Sequence, residues 1–167
     1  MEIVLTAGKG TGKTLLSAFD QALKDAGISN YNLITLSSVI PPGTKIVKKK
    51  YDSPLKEYGH RLYVVKSDIR SQNVDYFIGA GLGWYQNDDG RGVFVEFTAE
   101  SKFIDIVKET LTKNIANALS DLCHARYFGF DEKKMGILTS IAKVTTQPTC
   151  CLALAIYQSQ GWELING

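Results

Sequence analysis

Two short strings in this chain carry residue types with chemical uses, and they point in different directions. Residues 7–14 read AGKGTGKT, behind the apolar run IVL and ahead of an apolar pattern with helical spacing. A strand, a glycine-rich turn and Lys13-Thr14 opening a helix resemble a phosphate-binding loop, in which backbone amides and the lysine hold nucleotide phosphates. Residues 32–43 read NLITLSSVIPPG and place Ser37 and Ser38 between a strand and Pro41-Pro42-Gly43. A residue before proline is pushed out of the helical region, so Ile40 and Pro41 are extended, and Gly43 permits a sharp turn. Local chemistry alone reads this as a strand ending in a loop with serines at its edge.

The first string misses its own pattern. G-x-x-x-x-G-K-[ST] needs a glycine five positions before Gly12, where the chain has Ala7. An apolar strand ending in aspartate, the usual magnesium-binding partner, has only VFVE (93–96) as an imitation. A tight glycine turn capped onto a helix N-terminus explains the string better. Nucleotide binding through Lys13 and Thr14 stays as the alternative.

Two carboxylates stand in unusual company. Glu96 alternates with Val93 and Val95 and shares a strand face with Phe94, so a general acid with a pKa raised by burial could sit there. A glutamate reaching solvent from a strand end is the plainer reading. Asp20 stacks with Leu16 and Leu23 along the edge of a helix's apolar face. Partly buried, it needs a cationic partner, which is either Lys24 or a ligand guanidinium held by two parallel hydrogen bonds.

The totals narrow the classes. At 167 residues the chain is one domain, with 44% hydrophobic and 22% charged residues, as expected of a globular protein. A net charge of +2 implies no nucleic acid and no anionic membrane as partner. Without an apolar run of about 18 residues or a basic leader with an apolar core, a cytoplasmic protein is expected. The three cysteines read as buried thiols, and two histidines without neighbouring ligands imply no metal. The lysine run IVKKKYDSPLKEY (46–58) reads as a solvated loop edge.

Elements must then position the serines and carboxylates. Periodicity predicts helices over about 14–26, stopped by Gly27, and 101–124, with Phe103, Val107, Leu111, Ala118 and Leu122 on one side. Strands are predicted over 2–6, 32–37, 60–67, 74–83, 92–98, 138–146 and 149–158, with QNDDGRG (86–92) as a hairpin turn. Many strands with two amphipathic helices give an α+β sandwich rather than a doubly wound sheet.

The block LLSAFDQALKDAGISNYNLITLSSVIPPG (15–43) resembles the pyruvoyl-dependent arginine decarboxylases, in which a strand, Ser-Ser, an apolar pair and Pro-Pro mark a self-cleavage site. YGHRLYVV (58–65), GVFVEF (92–97) and TSIAKVTTQPTCCLALAIY (139–157) follow in the family's order. The resemblance implies a four-layer αββα sandwich of the pyruvoyl-dependent histidine/arginine decarboxylase type. It implies a proenzyme over 1–167 that cleaves itself into a β chain (1–37) and an α chain (38–167). The pyruvoyl cofactor, derived from Ser38, would form a Schiff base with L-arginine and release CO2 to leave agmatine. Cleaved protomers would assemble as trimers, or as hexamers, with active sites between subunits.

The same resemblance assigns roles residue by residue. Ser37 and Ser38 form the cleavage site, and Glu96 matches the family's proton donor. Asp20, in the string AFD-x-AL, matches the ligand of the substrate guanidinium. Asn32 matches an asparagine near the cofactor, and Leu16, the Ser37 carboxylate and the backbone at Ser29 and Tyr31 match further substrate contacts. Thr98 departs from the family, which often carries a second acidic residue there. A homologue that keeps the sandwich without maturing, as a structural subunit, is the remaining alternative.

Overall fold

The computed structural model describes residues 1–163. Strand β1 (Glu2–Thr11) leads into helix α1 (Leu15–Ala26), then β2 (Asn32–Thr35), β3 (Val39–Ile40) and β4 (Lys45–Lys48). The long strands β5 (Arg61–Ser71), β6 (Phe77–Gln86) and β7 (Gly92–Ser101) follow. Helix α2 (Ile104–Ala125), β8 (Gly136–Lys143) and β9 (Thr149–Gln160) complete the chain. A five-stranded sheet runs β2-β5-β9-β1-β4 and a four-stranded sheet runs β3-β7-β6-β8. No helix among the described residues is long and apolar enough to cross a membrane.

Strand alternation builds the layers. On β1, Val4 faces α1 with Leu152 and Leu154 of β9, while Ile3 and Leu5 face the other sheet with Ala153 and Ala155. Leu82 and Phe94 answer them from β6 and β7, and Val93 and Val95 turn outward onto Ile115, Leu119 and Cys123 of α2. The order helix, sheet, sheet, helix is the expected αββα sandwich, in which each sheet buries both faces.

Glycine decides how closely the helices approach. β1 does not stop at Thr6 but continues through Gly8 and Gly10 to Thr11, paired throughout with β9. The expected glycine turn over 7–14 is therefore corrected: only Gly12–Thr14 link the strand to the helix. A Cβ at Gly8 would fall on the Ala22 carbonyl, and one at Gly10 on the Ala18 carbonyl and the Ala22 nitrogen. These glycines thus let α1 lie on the sheet through its stripe of Ala18, Ala22 and Ala26. Gly79, Gly81 and Gly83 of β6 admit Val107, Leu111 and Ile115 of α2 in the same way. Gly8→Ala should destabilise the protein by about 1–3 kcal/mol, the usual cost of overpacking, seen as a lower urea midpoint at unchanged slope.

Both helix ends of α1 follow sequence chemistry. The Thr14 hydroxyl accepts from the Ser17 amide, the Ser17 hydroxyl accepts from the Thr14 amide, each at 3.0 Å, and Gly27 closes the helix at φ 85°. On α2 the buried stripe is Val107, Leu111, Ile115, Leu119 and Cys123, so Phe103 lies outside it and is exposed. Two strands escape the periodicity. β3 has two residues, and β4 is lysine-flanked where a loop edge is expected; it pairs in parallel with β1 at the sheet's margin. Lysines at an open edge discourage pairing with another chain.

Candidate active site

The two serines lie where the chain crosses from one sheet to the other. Upstream, β2 belongs to the five-stranded sheet, and the Leu36 amide still donates to the Val64 carbonyl at 2.8 Å. Downstream, β3 belongs to the four-stranded sheet, with Val39 opposite Val93. The Ser37–Ser38 peptide spans the step between them. Among the described residues, Ser38 is one of three non-glycine residues with positive φ, at 66°. That left-handed conformation is disfavoured for a residue with a Cβ and persists where the surroundings impose it.

Strand β7 imposes it. The Phe94 amide donates to the Ser38 carbonyl at 2.8 Å, and two residues on, the Ser38 hydroxyl donates to the Glu96 carboxylate in a very short contact. Phe94 and Glu96 share a face because side chains repeat every second residue along a strand. Phe94 is buried between the sheets, while Glu96 and Ser38 are half-buried at the margin of that core and Ser37 is exposed. Glu96 also lines an open cleft of about 350 Å³ with Lys66, Ser67, Asp68, Phe97 and Thr98. The acidic neighbour across this cleft is Asp68 of β5, held by Lys66 and, at 3.1 Å, by Arg70. Thr98 is exposed on the outer part of β7.

Other expected site residues fall around this centre rather than in it. The Asn32 side chain donates to the Gly59 carbonyl at 2.7 Å, tying the start of β2 to the turn before β5. Tyr31 is buried, and its phenol donates to Glu57 at 2.6 Å, holding that carboxyl below its ordinary range. Ser29 is exposed at the turn after α1.

Asp20 requires a correction. The apolar edge predicts a partly buried carboxylate, but Asp20 is exposed, and among the described residues no lysine or arginine pairs with it. The reason is the narrow alanine stripe: once Ala18, Ala22, Leu23 and Ala26 face the sheet, Leu16 and Asp20 turn outward, with Leu16 70% exposed. Both side chains are thus open to solvent, and neither lines the cleft that holds Glu96.

The nucleotide alternative loses its cradle. The backbone of Ala7–Thr11 runs in the ladder with β9, the Lys9 amide meets Asp25 at 2.9 Å, and the Gly12 amide meets the Pro148 carbonyl at 3.1 Å. Thr14 is spent as a helix cap. The thiols offer no nucleophile: Cys123, Cys150 and Cys151 are buried and unpaired, and burial pushes Cys150 up to about 12 and Cys151 up to about 11.

A serine hydroxyl on a carboxylate, at a strained residue between two sheets, is an arrangement for chemistry at the backbone. Residues 2–161 match the family model of the pyruvoyl-dependent arginine decarboxylases. The chain belongs to that family. Similar proteins carrying the family name include one from Thermoplasma volcanium, 37% identical over 83 residues, half of this chain and 46% of the relative. One from Methanocella arvoryzae is 35% identical over 82 residues, 49% of each chain. One from Nitrosopumilus maritimus is 28% identical over 124 residues, 71% of this chain and 68% of the relative. The matched segments thus span about half the length of the first two relatives.

The residues present fit the cofactor from which the family takes its name. A pyruvoyl group built in the chain needs a β-hydroxyl or thiol at the cleavage position and a partner for the adjacent carbonyl. Ser38 supplies the first and the Phe94 amide the second. Three features had no signal of their own in the sequence: the Phe94 amide, Asp68, and Tyr157, whose phenol donates to the Val39 carbonyl at 2.9 Å. Each depends on which strand of one sheet faces which strand of the other.

Proposed function

We propose that the chain is the precursor of a pyruvoyl-dependent decarboxylase that converts L-arginine to agmatine and CO2. The observation that carries this is the Ser38 hydroxyl on the Glu96 carboxylate at a left-handed residue. Ser38 Oγ adds to the Ser37 carbonyl carbon while Glu96 takes the hydroxyl proton. The peptide C–N bond breaks as the Ser38 nitrogen is protonated, leaving an ester between the two residues. Loss of the Ser38 Cα proton breaks its Cβ–Oγ bond, frees Ser37 as a carboxylate and leaves dehydroalanine. Water then replaces nitrogen, which departs as ammonia. The products are a β chain (1–37) and an α chain (38–167) that begins with the pyruvoyl group.

Bound at position 38, that group supplies an electrophilic carbonyl conjugated with an amide, an electron sink for the loss of CO2. The Phe94 amide stabilises negative charge on the residue-38 carbonyl oxygen, a preorganised donor aimed where charge develops. Glu96 returns a proton to the carbon that has lost CO2. The inter-sheet core around Phe94 keeps water from one side of the centre.

Asp20 pairs with the substrate guanidinium, and its exposure supports a contact made at a boundary between copies. Leu16 on α1, 70% exposed, and Ile34 and Val39 on either side of the cleavage serines, 39% and 51% exposed, give that boundary apolar surface. The family's trimer of cleaved protomers meets both requirements, with Leu16, the Ser37 carboxylate and the backbone at Ser29 and Tyr31 completing the substrate contacts beside Asn32.

The test is a denaturing gel together with a product assay on a panel of amino acids. Two fragments, agmatine from arginine, and a borohydride-trapped adduct on the larger fragment are expected. Asp20→Ala should raise KM for arginine by about tenfold or more, as loss of a charge-assisted pair does. A wild-type chain that stays whole and forms no adduct sinks the proposal and leaves the structural-subunit reading.

A further inference from the structure

Tyr157 closes the apolar run of β9, and the chemistry described so far does not use it. Its half-buried ring stands edge-on to Phe94, with centroids 6.3 Å apart, and its hydroxyl reaches the Val39 carbonyl at 2.9 Å. β9 lies inside the five-stranded sheet and β3 at the edge of the other, so this bond joins the sheets one residue beyond Ser38. Burial, and then the nearby Glu96 charge, push the phenol up, which keeps it a donor at neutral pH.

The local ladder shows why β3 needs such a partner. In an antiparallel pair, residues alternate between turning their carbonyls to the neighbouring strand and turning them away. Ser38 gives its carbonyl to Phe94, so Val39 turns its own to the open edge, where Tyr157 meets it. β3 is only two residues long, and Pro41 and Pro42 contribute no amide to extend it. Ser38 is therefore held by few bonds: its carbonyl on Phe94, its hydroxyl on Glu96, and the next carbonyl on Tyr157.

We propose that Tyr157 is a positioning residue for the chemistry at residue 38: by fixing the Val39 carbonyl it holds Ser38 in the left-handed conformation that brings its hydroxyl to Glu96. The proposal rests on the self-cleavage reading. After cleavage the same bond fixes the second peptide of the new chain, next to the one that carries the residue-38 carbonyl, so both steps depend on it.

Tyr157→Phe keeps the ring and removes only the donor. On denaturing gels of freshly made protein, the rate constant of 37/38 cleavage should fall about tenfold, the effect of one neutral hydrogen bond. In matured protein kcat should fall with KM for arginine unchanged, and the thermal midpoint should stay that of the unsubstituted chain. Tyr157→His, which retains a ring donor, should recover part of the cleavage rate. Cleavage of Tyr157→Phe at the unsubstituted rate overturns the proposal. So does a lowered midpoint with a smaller cleaving fraction whose rate constant is unchanged, the mark of a merely structural residue. An unsubstituted chain that never cleaves overturns the functional reading instead.

Discussion

Ser38→Ala should remain a single chain on a denaturing gel and release no agmatine from arginine. The expectation follows from atoms rather than from stability. Self-cleavage needs an oxygen or sulfur on the Cβ of residue 38, first to attack the Ser37 carbonyl and then to leave from the Cβ. Alanine has neither. The substitution should spare the fold, since alanine carries the same Cβ as serine and the left-handed backbone costs both about the same. The half-buried Glu96 loses one donor at the margin of the core, where water can replace it. Thermal unfolding should therefore resemble that of the unprocessed wild-type chain. Fragmentation of Ser38→Ala at the same place would mean that another group performs the cleavage and that the assignment of Ser38 is wrong.

Glu96→Gln separates the acid-base role from the shape. Glutamine is nearly isosteric and can still accept a hydrogen bond from the Ser38 hydroxyl, so residue 38 should keep its conformation. It can neither take the hydroxyl proton nor return one to carbon. Turnover in the matured protein should fall by about 10²–10⁴, the usual contribution of a positioned general acid. Self-cleavage should also slow, because the same carboxylate faces the same hydroxyl in the precursor. Timed agmatine release and timed gels measure the two effects separately. A variant that keeps wild-type turnover would show that protons reach the centre from elsewhere, and Asp68, which lines the cleft with Glu96, would be the next residue to examine.

Much of this site could be read along the chain, for a physical reason. Alternation puts Glu96 on the Phe94 face without any tertiary knowledge, and the prolines after Ser38 mark an extended segment. The glycines misled because a local reading assigns them to a turn, whereas a tertiary neighbour sets their need: α1 rests on Gly8 and Gly10. Asp20 misled because a helix rich in both leucine and alanine can be turned to bury either stripe, and only the glycine-lined strand selects alanine. Tyr157 and the Phe94 amide could not be found at all. Their partners lie 118 and 56 positions away in sequence, across a pairing of sheets that no periodicity encodes.

The strand order β2-β5-β9-β1-β4 has a consequence for the molecule that the proposed cleavage would produce. β1 and β2 lie before position 38, while β4, β5 and β9 lie after it, so the two pieces are shuffled within one sheet. β1 is gripped between β9 and β4, and α1 covers it. Once the Ser37–Ser38 link is broken, release of the small piece means tearing a central strand from the sheet, so the native assembly holds together without the covalent joint. Folding then ceases to be reversible in the ordinary sense. The precursor finds its β1 at the high effective concentration that a connected chain provides, in the millimolar range for short connections. The denatured pieces must instead meet by diffusion, so recovery of the matured form becomes second order and fails on dilution. Under the proposed cleavage, folding would be a one-time event, completed before the chemistry that ends it.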